Sequence, residues 1–183
     1  MPLRNTAQFP ALKPGDIFLS PGELHCGFAP GRVWTILGSC VSVILWHKRL
    51  KFGAMTHYLL PERPESRQIG RLAPDPRYGV DSCVVVLDSL RNAGIAPEQC
   101  EAHVFGGSHM TINGKPSASA IGHRNAAIAH EFFEQHQIKL LSESLFGDGH
   151  RRIYFDLSSG RVWESQAKEG SSKRSYRKSV SSS

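Results

Sequence analysis

A chain of 183 residues with 40% hydrophobic and 21% charged residues has the size and composition of one globular domain. Its formal charge of +6 is unevenly spread: beyond residue 164, Lys168, Lys173, Arg174, Arg177 and Lys178 stand against the single acid Glu169, which leaves only +2 for residues 1–164. The body therefore carries no stripe for nucleic acid, and no window approaches the ~18 apolar residues of a membrane-spanning helix, so no direct membrane insertion is expected.

Met1-Pro-Leu-Arg-Asn leads into no apolar stretch of signal-peptide length, and the expected compartment is the cytoplasm. Residues 1–164 are expected to form a single domain. Residues 165–183, basic and Ser-rich with few apolar side chains, are expected to be a disordered tail. Cys26, Cys40, Cys83 and Cys100 show no Cys-x-x-Cys pair, and a chain long enough to build a core needs no disulfide staples, so they read as free thiols.

In chain order, Lys13-Pro14-Gly15 and Ser20-Pro21-Gly22 flank a short strand at 16–19, and a second strand covers 32–36. Residues 41–46 and 51–60 are apolar and β-branched around a polar turn at 47–50, which predicts a β-hairpin. Residues 61–79, with four prolines, form a long surface loop. Val84, Leu87 and Leu90 lie at helical spacing, so a helix runs over 80–93 and ends at Gly94. A strand at 102–105 enters Gly106-Gly107, a second amphipathic helix covers 125–136, and strands follow at 138–142, 152–157 and 161–163. Strands and helices mix without strict alternation, which points to an α+β fold of layered β-sheets flanked by helices.

The hairpin carries the chemistry. With its turn centred between Lys48 and Arg49, cross-strand partners have numbers that sum to 97, and Cys40 then faces His57 with Cβ atoms about 4.5–5.5 Å apart. A thiol beside an imidazole is a nucleophile beside its base, and an imidazolium there lowers the thiol pKa. Gly38 and Ser39, small residues before Cys40, let successive backbone N–H groups converge as an oxyanion hole. The nine histidines show none of the usual tetrahedral ligand spacings, so neither a metal nor a cofactor is expected. The competing readings of the same residues are core packing for Cys40, and a thiol redox protein, which requires a resolving cysteine near it.

Gly22-Glu-Leu-His25, Leu37-Gly-Ser-Cys-Val41, Gly53-Ala-Met-Thr-His57 with Leu59-Leu-Pro61, Arg77-Tyr-Gly79, Val104-Phe-Gly-Gly-Ser108, Ile121-Gly-x-Arg-Asn125 and Ile153-Tyr-Phe-Asp156 occur in this order over roughly residues 16–163. Together they resemble the chemoreceptor glutamine deamidases of the CheD family. The resemblance implies a protein-glutamine glutaminase that converts glutamines of methyl-accepting chemotaxis receptors to glutamates, releasing ammonia. It implies a layered fold similar to the catalytic domain of cytotoxic necrotizing factor toxins, and a CheC-type phosphatase as a modulating partner. The family's nucleophile falls on Cys40 and its base on His57. Its third catalytic residue, a Thr a few positions before the Cys, falls nearest to Thr35, with Ser39 or a backbone carbonyl as the other groups able to orient His57. Gly106, Gly107, Arg124 and Asn125 are expected to shape the site. The alternative is a regulatory module of the same architecture that docks on receptors or on a CheC-type phosphatase without turning over.

Overall fold

The computed structural model describes residues 9–64, 73–112, 115–117 and 120–167. The strands are β1 (Ile17–Phe18), β2 (Leu24–Phe28), β3 (Arg32–Leu37), β4 (Val41–His47), β5 (Phe52–Thr56), β6 (Glu101–Gly106), β7 (Met110–Ile112), β8 (Lys115–Ser117), β9 (Lys139–Leu145), β10 (His150–Asp156) and β11 (Arg161–Ala167). The helices are α1 (Gly79–Asn92) and α2 (Ala120–Gln135), with a 3-10 turn at Pro97–Gln99.

Two sheets and a helical layer stack in an α+β arrangement. One sheet has the order β1-β3-β10-β11 and the other β2-β5-β4-β6-β9, while β7 and β8 form a separate hairpin. All residues of β4 and β5 are buried because this sheet is covered on both faces. On one face Val41, Val43, Leu45 and Ala54 pack with Val86 and Leu90 of α1 and Ala129, Phe132 and Phe133 of α2. On the other, Ile44, Trp46 and Met55 meet Val33, Leu37, Ile153 and Phe155 of the first sheet. In that first sheet β3 alternates buried and less buried residues, as a strand covered on one face should.

Several expectations are corrected. The hairpin pairs Ile44 with Met55 and His47 with Phe52, a sum of 99 rather than 97. His47 stays in the strand and its Nδ1 accepts the N–H of Leu50 at 3.1 Å, so the turn is centred one residue later than its polar residues suggest. β5 ends at Thr56, not Leu60, because the Thr56 hydroxyl takes the place of a backbone rung: Val43 N–H donates to Oγ1 at 2.9 Å. In α1 the inward stripe runs through Ser82, Cys83, Val86 and Leu90, and Val84 is exposed. α2 begins at Ala120, five residues before the expected start. β11 continues to Ala167, so the first three residues assigned to the tail lie in a strand, and 168–183 fall outside the described residues. The strand β2 and the β7–β8 hairpin are additions.

Candidate active site

Cys40 ends the short loop Gly38-Ser39-Cys40 that joins β3 to β4, one strand from each sheet. His57 follows β5 and is buried, 2% exposed. Its backbone has left β4 at the Thr56 splay and bonds to the β2 side instead: His57 N–H donates to Glu23 O at 2.9 Å and Gly22 N–H donates to His57 O at 2.7 Å. The ring crosses the gap between the sheets, where Nδ1 lies 2.8 Å from Thr35 Oγ1 on β3 and 3.2 Å from Leu19 O.

This triangle fixes the tautomer. Thr35 Oγ1 donates its single proton to Leu19 O at 2.7 Å, so towards His57 it can only accept. Leu19 O is itself an acceptor. Both neighbours of Nδ1 therefore require a proton on it, which leaves Nε2 with a lone pair.

The two-residue shift in register keeps Cys40 and His57 on one face of the sheet, because side chains alternate with period two. Cys40 packs with the inter-sheet core that also contains Ile44, Trp46 and Met55. Continuation of the Val41–Tyr58 bridge places Ser42 opposite His57, so Cys40 is its diagonal neighbour. The direct facing expected from the sequence is thus replaced by a diagonal, typically about 7–8 Å between backbones and still within reach of long or ring side chains.

The electrostatics also depart from expectation. Burial pushes the Cys40 thiol up, against the pull of its own backbone amide, rather than down. Burial lowers His57, opposed by the Leu19 carbonyl and the nearby Glu23 carboxylate. A neutral thiol and a neutral imidazole result, a pair suited to proton transfer on attack rather than a standing ion pair. All four cysteines are free, and the buried Cys83 and Cys100 are pushed up to about 12.

The loop before Cys40 has every carbonyl tied. Gly38 O accepts from Ser108 N–H at 2.9 Å, Cys40 O from Gly107 N–H at 2.9 Å, and Ser39 O from Asn125 Nδ2 at 3.4 Å. In a trans peptide the C=O of one residue and the N–H of the next point opposite ways. Tying Gly38 O and Ser39 O therefore points the N–H groups of Ser39 and Cys40 away from Ser108 and Asn125 respectively, and among the described residues neither donates to another residue. Two such amides beside a sulfur can hold a developing oxyanion. Gly106 permits the close approach: at φ 120° a Cβ there would stand 2.1 Å from Cys40 O.

The segment 59–166 matches the family model for CheD chemotactic sensory transduction. The chain is 44% identical over 155 residues, 84% of its length and 88% of the relative's, to the probable chemoreceptor glutamine deamidase CheD 2 of Albidiferax ferrireducens. This chain belongs to the CheD family. Probable deamidases of the same kind match at 38% identity in Dechloromonas aromatica, over 81% of this chain and 85% of that one, and at 36% in Chromobacterium violaceum, over 87% and 82%. The family-model match begins two residues after His57. The alignment to the Albidiferax relative is long enough to include residues 35–57 wherever it starts.

The remaining expected residues divide. Asn125 is buried inside α2, and its Nδ2 bridges Leu59 O at 2.8 Å and Ser39 O, tying the segment after His57 to the loop before Cys40. Tyr58 Oη donates to the Asn125 carbonyl at 2.6 Å. Arg124, one residue earlier, turns outward to Glu62 at 3.1 Å and borders an open groove of about 550 Å³ with Leu60 and Ile121. Sequence reasoning missed the Leu19 carbonyl, Ser108 and Arg151. Leu19 left no signal and Ser108 only its place at the end of the Val104–Ser108 block, whereas Arg151 shares the parity of Ile153 and Phe155 in β10, which places it on the inward face.

Proposed function

We propose that this protein is a cytoplasmic protein-glutamine deamidase acting on chemotaxis receptors, with Cys40 as nucleophile, His57 as base and Thr35 as the residue that orients His57. The observation that carries this reading is the Thr35–Leu19–His57 triangle, which leaves the Nε2 lone pair on the face that Cys40 shares. His57 Nε2 takes the thiol proton as the sulfur attacks the carboxamide carbon of a substrate Gln. The carbonyl oxygen becomes an oxyanion against the amides of Ser39 and Cys40. Collapse of the tetrahedral intermediate breaks the C–N bond, and protonated His57 gives its proton to the departing nitrogen, which leaves as ammonia. Water, deprotonated by His57, then hydrolyses the thioester to Glu and restores the thiol.

The names of the relatives support the substrate class, since each is described as a probable chemoreceptor glutamine deamidase. The test is ammonia release and peptide mass mapping with a chemoreceptor cytoplasmic fragment, comparing wild type with Cys40→Ala and His57→Ala. Wild type is expected to convert specific Gln residues to Glu and both variants to be inactive. Undiminished turnover in either variant ends the assignment.

A further inference from the structure

Arg151 carries a guanidinium into the interior, 1% exposed, on the inward face of β10 opposite Leu37, the residue before Gly38. Burial lowers its pKa, opposed by Glu164 at 3.4 Å. A buried charge of this kind contributes little to stability compared with a well-packed apolar side chain. What it offers is a planar fork of donors for acceptors on separate segments.

Those acceptors are Ser144 near the end of β9, Phe146 in the loop after it, and Ser108 in the loop after β6. Nη2 donates to Ser108 Oγ at 3.0 Å and to the Phe146 carbonyl, and Nη1 to Ser144 Oγ at 2.8 Å and to the Ser144 carbonyl. Phe146 N–H in turn donates to Gly106 O at 2.9 Å, so the fork grips both sides of the Gly106-Gly107-Ser108 turn. That turn supplies the two N–H groups that hold Gly38 O and Cys40 O.

We propose that Arg151 is a positioning residue for acyl transfer: by fixing Ser108 and Phe146 it holds the Gly106–Ser108 turn against the carbonyls of Gly38 and Cys40, and so aims the amides of Ser39 and Cys40 at the oxyanion. The proposal rests on the reading of Cys40 as an acyl-transfer nucleophile. Arg151 acts on the donors and not on the sulfur. Its loss therefore weakens a step that develops an oxyanion and spares one that does not. Alkylation of Cys40 by iodoacetamide is such a step, because the sulfur displaces iodide from carbon without charge on a carbonyl oxygen.

The experiment compares wild type, Arg151→Lys and Ser108→Ala in two assays: steady-state ammonia release from a chemoreceptor cytoplasmic fragment, and the rate of Cys40 alkylation followed by peptide mass mapping. Arg151→Lys is expected to lower kcat roughly tenfold or more, short of the ~100- to 1,000-fold that follows outright loss of an oxyanion donor, with KM and alkylation within about twofold of wild type. Ser108→Ala, which removes one acceptor and keeps the backbone N–H, is expected to show the same split with a smaller loss, and it decides the matter alone if Arg151→Lys does not fold. Unchanged kcat in a folded variant, or turnover and alkylation falling together, overturns the proposal. Absence of Cys40-dependent ammonia release in wild type would instead overturn the deamidase reading beneath it.

Discussion

Thr35→Val is the sharpest probe of the tautomer argument. Valine keeps the shape of a side chain that is fully buried but removes Oγ1, the acceptor 2.8 Å from His57 Nδ1 and the donor 2.7 Å from Leu19 O. The carbonyl of Leu19, 3.2 Å from Nδ1, then loses its other donor and is free to take the Nδ1 proton alone. The tautomer survives, and the ring loses about one net hydrogen bond, or ~1 kcal/mol of restraint. At ~1.4 kcal/mol per factor of ten, kcat should fall roughly fivefold to tenfold, far less than the ~10⁴ that follows when an orienting group imposes the wrong tautomer. Thr35→Ser, which keeps the hydroxyl, should remain within about twofold of wild type. Ammonia release under saturating receptor fragment gives kcat directly. A loss as deep as that of His57→Ala would refute the sharing of Nδ1 between two acceptors, and no loss at all would remove Thr35 from the site.

The pH–rate profile should be flat near neutrality and fall on the acid side only below the ordinary histidine value of about 6.5, because burial lowers His57 and the base form persists into acid; an acid limb centred above 7 would contradict this. Stability should decline as pH falls through the same region. His25, His57 and His103 all have folded pKa values below their unfolded ones, so the unfolded chain binds more protons there and thermal scans between pH 7 and 5 should show falling Tm. Gly106→Ala should abolish turnover and lower Tm, since φ 120° is a backbone region that carries about 1–3 kcal/mol of strain for other residues and the added methyl meets the Cys40 carbonyl. Gly160→Ala should lower Tm, because its Cβ would stand 2.4 Å from the Trp46 ring in the core between the sheets; a thermal scan is the check.

Local pattern revealed the elements whose burial is simple. β3 alternates, β4 is a largely apolar run, and α1 stops two residues before Gly94, whose φ of 68° is a conformation glycine adopts freely. β2 escaped although Leu24, Cys26 and Phe28 alternate with His25 and Gly27, because the run is only five residues long and half-buried through most of its length. The start of α2 escaped because Gly122 reads as a breaker, although it is buried within the helix. The hairpin register turned on whether His47 belonged to strand or turn, which polarity alone cannot decide. Cys40 and His57 could be nominated from one hairpin because their relation is local. The groups that tune them are not local: Thr35 enters only through the family resemblance, Leu19 and Thr35 reach His57 across the sheet interface, and Ser108 reaches Gly38 from a loop seventy residues away. Such contacts follow from how layers stack, which leaves no periodic trace along the chain.

Thr35 and His57 belong to opposite slabs of one sandwich, so the 2.8 Å between them works as a gauge of how far apart those slabs rest. Hollowing the filling between them, at Met55 or Phe155 for example, would change that spacing before it melted the molecule. Catalysis should therefore fall with losses of packing that still leave the molecule folded, and suppressor substitutions that refill the gap should recover turnover without touching the reacting groups.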